Sequence, residues 1–214
     1  MRLVRVLNVL VTVAVFSTPT FVAAKDLTGE DLRAFQAKMK TISSLSVDFS
    51  QDSFSKLRGK TVKREGHAEF AAPNSFRWVL KNPLEEKVFD GKYFYDYDPQ
   101  SNSASRYQPN GPKAYALRQV VDLVLNFDSL LKRYELVSAK QDGDSVNVAL
   151  KPKEASDLDS VELHLSEKNL LITFLKLNLK GGDSLAIDFS NVDRKPLSAD
   201  AFTLPKGVKV TDSY

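Results

Sequence analysis

Apolar residues recur at two periods along this chain, and the changes of period mark out its elements. Leu32, Phe35, Met39, Ile42 and Leu45 follow at intervals of three and four, the spacing that collects side chains on one face of a helix. Thr28 and Asp31 stand just ahead with the spacing of an N-terminal capping box. Together they predict a helix over residues 29–42. From Val47 the period falls to two. Val47, Phe49 and Gln51 alternate with Asp48, Ser50 and Asp52, as in a strand with one buried face. Further strands are predicted over 61–70, 75–81, 86–89 and 93–97, and Asp90-Gly91-Lys92 is a tight hairpin signal. The run 98–115, DPQSNSASRYQPNGPKAY, reads as a loop by composition. Leu117, Val120, Val121, Val124 and Leu125 return to the helical period, and 127–132 adds a turn. Strands resume over 134–141, 145–151, 161–165, 170–179 and 185–189. The tail from Arg194 reads as mostly irregular, with Phe202 and Leu204 as anchors.

An open antiparallel sheet of about ten strands tends to curl, and helices laid on its concave face would cover the apolar side. The expectation is a mainly β fold with helices (α+β): an unclosed antiparallel half-barrel with a helical lid over an apolar cavity. The strand inside PNSFRWVLKNP, between Pro73 and Pro83, puts Phe76, Trp78 and Leu80 on one face and Arg77, Val79 and Lys81 on the other. Trp78 is the only tryptophan. Candidate walls of a lipid-binding cavity are Phe49, Phe70, Phe76, Trp78, Leu80, Val88 and Phe94 from strands, with Met39 and Val121 from helices. The alternative for each is ordinary core.

The first 24 residues change the picture of compartment. Arg2 and Arg5 precede a mostly apolar run from Val6 to Phe16, and Val22-Ala23-Ala24 supplies small residues for cleavage. That order is a secretory signal peptide, cut before Lys25. The remaining 190 of 214 residues suit one domain, 25–214. Removing Arg2 and Arg5 from the 30 basic residues leaves 28 against 27 acids, so the exported chain is close to neutral. A nucleic-acid partner would need clustered excess charge, and none is expected. There is no cysteine, hence no disulfide framework and no cysteine after the leader to carry a lipid anchor. The expectation is a free, monomeric protein after export.

Candidate chemistry is sparse. His67 and His164 fall in separate strands without a neighbouring ligand at metal spacing, so no metal or other cofactor is expected. No G-x-S-x-G elbow is present, although a triad is recognised by geometry rather than sequence and stays open. Paired acids such as Glu85-Glu86 read as solvated turn residues. The absence of catalytic machinery favours a binding protein over an enzyme, and the mouth or interior of a β-barrel holds small ligands well.

Four segments in order carry a resemblance: SLSVDFSQ at 44–51, EGHAEFAAPNSFRWVLKNP at 65–83, FDGKYFYDYDP at 89–99 and FTLPKGVKV at 202–210. The sequence resembles the LolA family of periplasmic outer-membrane lipoprotein carriers over essentially all of the exported chain. The resemblance implies an unclosed barrel with a helical lid. It also implies acylated lipoproteins as cargo, an inner-membrane ABC transporter complex as donor and an outer-membrane lipoprotein acceptor. Family members have an arginine before the proline that precedes the F-x-W strand, where it bonds to lid backbone and holds the empty cavity shut. Here that latch position is Ala72, which leaves closure to other groups such as Arg118. A carrier of another envelope amphiphile, a glycolipid or pigment lipid, is the runner-up. A periplasmic hydrolase and a purely structural adaptor are the readings from other classes.

Overall fold

The computed structural model describes residues 24–39, 43–109, 115–125, 130–169 and 171–213. The proposed signal peptide, residues 40–42 of the first predicted helix and residues 127–129 of the predicted helical turn lie outside them.

After β1 (Lys25–Asp26) comes helix α1 (Gly29–Met39). Its first turn carries the expected capping box: the Asp31 N–H donates to Thr28 Oγ1 at 3.2 Å, and the Thr28 N–H donates to Asp31 Oδ2 at 2.8 Å. A meander follows through β2 (Ser44–Ser55), β3 (Lys60–Ala71), β4 (Ser75–Leu80), β5 (Glu85–Phe89), β6 (Phe94–Asp98) and β7 (Ser103–Tyr107). Helices α2 (Tyr115–Leu125) and α3 (Leu130–Arg133) interrupt the strands. Then come β8 (Tyr134–Asp142), β9 (Ser145–Pro152), β10 (Leu158–Ser166), β11 (Leu171–Leu179) and β12 (Ser184–Asp193). The chain ends with a 3₁₀ turn, Ala199–Phe202, and β13 (Lys209–Asp212).

All thirteen strands join one unclosed, curved sheet in the order β1-β8-β9-β10-β11-β12-β2-β3-β4-β5-β6-β7-β13. The β2–β12 pairing, Phe49 opposite Phe189, joins the two halves of the chain. The count corrects the expectation of about ten. Three strands escaped the pattern for a physical reason: β1, β7 and β13 have almost no apolar alternation. Ser103–Tyr107, which fell inside the predicted loop, pairs with β6 through its backbone, and the tail adds β13 to it as a parallel strand. The two edges, β1 and β13, are short, charged and exposed, features that discourage edge-to-edge association.

One continuous core covers the inner face of the sheet and includes Leu32 and Phe35 of α1, Val120, Val121 and Leu123 of α2, and Leu130 of α3. Alternation fixes that face. Leu45, Val47 and Phe49 are buried while Ser46 and Asp48 between them are half-buried. Residues of all three helices thus join the same core as the inner-face strand residues. Among the described residues, the apolar space lined by α2 measures about 20 Å³.

Candidate functional site

The aromatic face predicted around Trp78 is buried within this core. Trp78 is 2% exposed and stacks on Phe49, with ring centroids 3.9 Å apart. Phe70 and Phe189 meet it edge-on at 6.4 and 6.5 Å. A second group beside it contains Phe76, Phe89 and Phe94, the last two stacked at 4.4 Å. Gly66 makes the first stack possible. It lies directly opposite Phe49 in the β2–β3 register, and a Cβ at Gly66 would come within 2.3 Å of the Phe49 ring and 2.2 Å of the Val79 carbonyl oxygen.

The structure brings together Phe49, Phe70, Phe76, Trp78, Leu80, Phe94 and Val121 in the inner core. Met39 ends α1, and its side chain lies outside the described set. Val88 is placed elsewhere. It stands opposite Arg77 in the β4–β5 register, whereas Phe76 stands opposite Phe89. Val88 is thus buried on the outer face and is not a wall of the inner space; the run Glu86–Phe89 gave no alternation from which to read its face.

Among the described cavities, one apolar crevice reaches under the helices. Its walls are Leu45, Val47 and Phe70, the α2 residues Val124 and Leu125, and Leu171, Ile172, Phe189 and Val192. It measures about 20 Å³, room for roughly one water molecule. Of the predicted wall residues only Phe70 lines it. Polar ties hold α2 where it is. Arg118 Nη1 donates to the Pro109 carbonyl at 2.9 Å, Arg133 Nη1 donates to Asp122 at 2.9 Å, and the Tyr134 hydroxyl donates to Gln119 Oε1 at 2.8 Å. Ala72 lies exposed in the turn between β3 and β4, with its N–H donating to the Ser43 carbonyl at 2.9 Å.

Arg77, on the outer face as its alternation predicts, fastens the tail. Its Nε and Nη2 donate to the carbonyls of Ala201 at 2.7 Å and Thr203 at 2.6 Å, and its Nη1 pairs with Glu86 at 2.6 Å. Val88, Tyr97, Ala104 and Phe202 are buried yet stand apart from the inner core, a small second core that the irregular-looking tail helps to form.

His67, an ordinary strand histidine by its sequence pattern, meets two polar partners in the fold. His67 Nδ1 is 2.8 Å from Asp48 Oδ1, its Nε2 is 2.9 Å from Ser46 Oγ, and Asn191 Nδ2 donates to Asp48 Oδ2 at 2.9 Å. The bonds from Asn191 and His67 hold the Asp48 carboxyl below its ordinary range. The order Ser–His–Asp is that of a hydrolytic relay. Its setting is different: Ser46 sits within a paired strand on the outer face, and none of the described cavities is lined by these three residues. What the network does is bridge β2 and β3 to the irregularity of β12 between Ser190 and Asp193. Among the described residues, no three His, Cys, Asp or Glu side chains gather as a metal site.

Comparison with known proteins fits this architecture. A curated outer-membrane lipoprotein carrier protein of Shewanella loihica is 27% identical over 205 residues, covering 92% of this chain and 93% of its own. Another, of Chromohalobacter salexigens, is 27% identical over 180 residues, covering 81% and 83%. An uncharacterised conserved protein of Thermus thermophilus, at 9% identity and a TM-score of 0.56, shares the fold over 86% of this chain and 98% of its own. The family model described as outer membrane lipoprotein carrier protein LolA matches residues 40–205, and on that match the chain belongs to the LolA family.

Proposed function

We propose that this protein is a periplasmic carrier, not an enzyme, that holds the acyl chains of lipoproteins against the inner face of its sheet. It takes them from an inner-membrane transporter complex and gives them up to an outer-membrane acceptor. The observation that carries this reading is the family match over 40–205, superposed on an apolar sheet face covered by amphipathic helices. Burial stabilises an acyl chain by about 0.8 kcal/mol per CH₂, so a lipoprotein with several chains does not cross an aqueous space unaided. A carrier needs apolar area, few directional bonds and a cover that moves. Here the cover is α2, and its ties to Pro109, Arg133 and Tyr134 take the role that the family's arginine plays at the position of Ala72.

The test is reconstitution. Purified protein is added to inner-membrane vesicles that hold the transporter and radiolabelled triacylated lipoprotein, with ATP. Soluble lipoprotein in stoichiometric complex with the protein is the expected result. If lipoprotein stays in the vesicles while a curated family carrier releases it, the cargo reading fails. A second reading, another envelope amphiphile, is favoured by the departure at Ala72. Mass spectrometry of lipid that co-purifies from the periplasm separates the two.

A further inference from the structure

The longest hairpin of the sheet ends in an exposed, cationic tip. Strands β2 and β3 pair without a break from Ser44 opposite Ala71 to Ser55 opposite Lys60. Strand β4 accompanies β3 only from Gly66 onward. Residues 60–65 of β3 therefore run on past β4, about 20 Å at the rise of an extended strand. The turn 56–59 closes this arm, and its shape is fixed. The Lys56 N–H donates to Asp183 Oδ1 at 2.8 Å, and the Gly59 N–H donates to the Lys56 carbonyl at 3.3 Å. Gly59 takes a φ of 60°, the left-handed conformation that glycine allows. Leu57, in this turn, is 95% exposed. From Lys56 to Arg64 the chain carries five cations, Lys56, Arg58, Lys60, Lys63 and Arg64, and no acid. At the base of the arm Lys63 pairs with Asp52 at 2.6 Å and Arg64 with Glu85 at 3.0 Å. Lys56, Arg58 and Lys60, the cations nearest Leu57 in the chain, are exposed. So are Phe54 and Val62. Val62 stands opposite Ser53, so it shares the face of Ser53, and Phe54 takes the other face of the arm.

We propose that this arm docks the protein on a membrane surface that presents anionic phospholipid head groups. Leu57 enters the boundary between head groups and acyl chains, and Lys56, Arg58 and Lys60 lie at the level of the phosphates. Two observations select a lipid surface over a protein partner. A protein that covered the arm would bury one face of it, whereas Phe54 and Val62 are exposed on opposite faces behind Leu57. That arrangement suits a medium that surrounds the tip. An apolar apex ringed by cations also matches the layering and charge of an anionic bilayer. No described helix is long and apolar enough to cross a membrane, so attachment through the arm is peripheral. One leucine and a few cations give weak, reversible binding, which lets the protein visit a membrane and leave it. The arm is separate from the inner face, so docking is independent of the cargo.

The exported protein is sedimented with vesicles of phosphatidylcholine alone and of equimolar phosphatidylcholine and phosphatidylglycerol. Binding to the anionic vesicles only, weakened by added salt, is the expected result, and it needs no variant to fold. Leu57→Asn should lower partitioning about tenfold, the scale of burying a leucine side chain. Arg58→Gln/Lys60→Gln should lower it about fivefold for each cation removed. Val137→Asn, which changes an exposed apolar residue of β8, should match wild type. Because the chain has no cysteine, a nitrobenzoxadiazole label on Leu57→Cys reports the tip alone. Its emission should shift to the blue on anionic vesicles, and the same label on Val137→Cys should not respond. Oleate titration followed at Trp78 should be alike in wild type and variants, which shows that the variants are folded. Wild-type protein that binds neither vesicle, or binding that Leu57→Asn and the charge variant leave unchanged, overturns the lipid surface. A label that shifts only on vesicles containing the transporter complex overturns it in favour of a protein partner. If oleate leaves wild-type Trp78 emission unchanged, the carrier reading fails, while docking stands or falls on the vesicles.

Discussion

Gly66 shows how one missing side chain organises the core. Phe49 lies across it and stacks on Trp78, and no Cβ can be added without displacing the ring or the Val79 carbonyl. Gly66→Ala is therefore expected to lower stability by about 1–3 kcal/mol, the usual cost of overpacking a filled core, and to change Trp78 emission in the empty protein. Denaturant unfolding followed at Trp78 checks both, and an unshifted midpoint would contradict the packing described. Asp48 gives a second test at this scale. Its carboxyl is held below the ordinary value by Asn191 first and His67 second, with Lys81 adding a weaker attraction. A depressed folded-state value means that its contribution is present above the unfolded value of about 3.9 and is lost as pH falls through the lower folded value. Asp48→Asn should reproduce that loss at neutral pH. Faster amide exchange confined to β12 around Asn191 is the expected signature in both cases.

On the carrier reading proposed above, helix α2 is the element that would move. Its buried residues join the core on the sheet, and the crevice behind it measures about 20 Å³, so on that reading acyl binding and α2 displacement would be one event. Arg118 is a charged donor to a backbone carbonyl, a bond of about 1.5–3 kcal/mol. Arg118→Ala should shift the opening equilibrium by roughly ten- to a hundredfold toward the open form. Affinity for an acyl probe then rises and release to an acceptor slows. Ala72→Arg, which restores the family's residue, should act in the opposite sense. Dissociation constants from Trp78 emission and release rates to acceptor measure both, and unchanged values in both variants would place control of opening elsewhere. The pattern of the sequence was sufficient for α1, α2 and most strands because each commits one stripe or one face to the core. It was insufficient for β1, β7 and β13, whose residues bury little and whose positions come from backbone pairing alone.

On the scale of the whole molecule, the sheet carries a core on each face, a large inner one under the helices and a small outer one under the tail. Arg77 and Glu86, both largely buried, tie the tail to β4 and β5. At the outer end, Arg106 grips Asp212 with two bonds of 2.6 and 2.9 Å. Arg77→Met keeps the aliphatic contact but removes three bonds, and a loss of about 1.5–3 kcal/mol is expected, the range for bonds to a charged donor. Limited proteolysis should then cut within 194–208, while acyl probes still alter Trp78 emission because the inner face is untouched. Joint loss of tail protection and probe binding would show instead that the two faces are coupled.

The sequence by itself determined which residues seek the interior and with what period, and so the β-rich class, the helices and the aromatic face around Trp78. It also carried the family, through four short segments in fixed order. Only the tertiary structure decided that Val88 faces outward, that the described crevice beside α2 is narrow, and that the tail completes an edge. The same holds for Ser46, His67, Asp48 and Asn191, which meet in one network. The reason is physical. Period and polarity are local properties of a strand or helix, whereas a crevice or a hydrogen-bond network is made by residues far apart in the chain. Their meeting is fixed by the β2–β12 register, which no local pattern records.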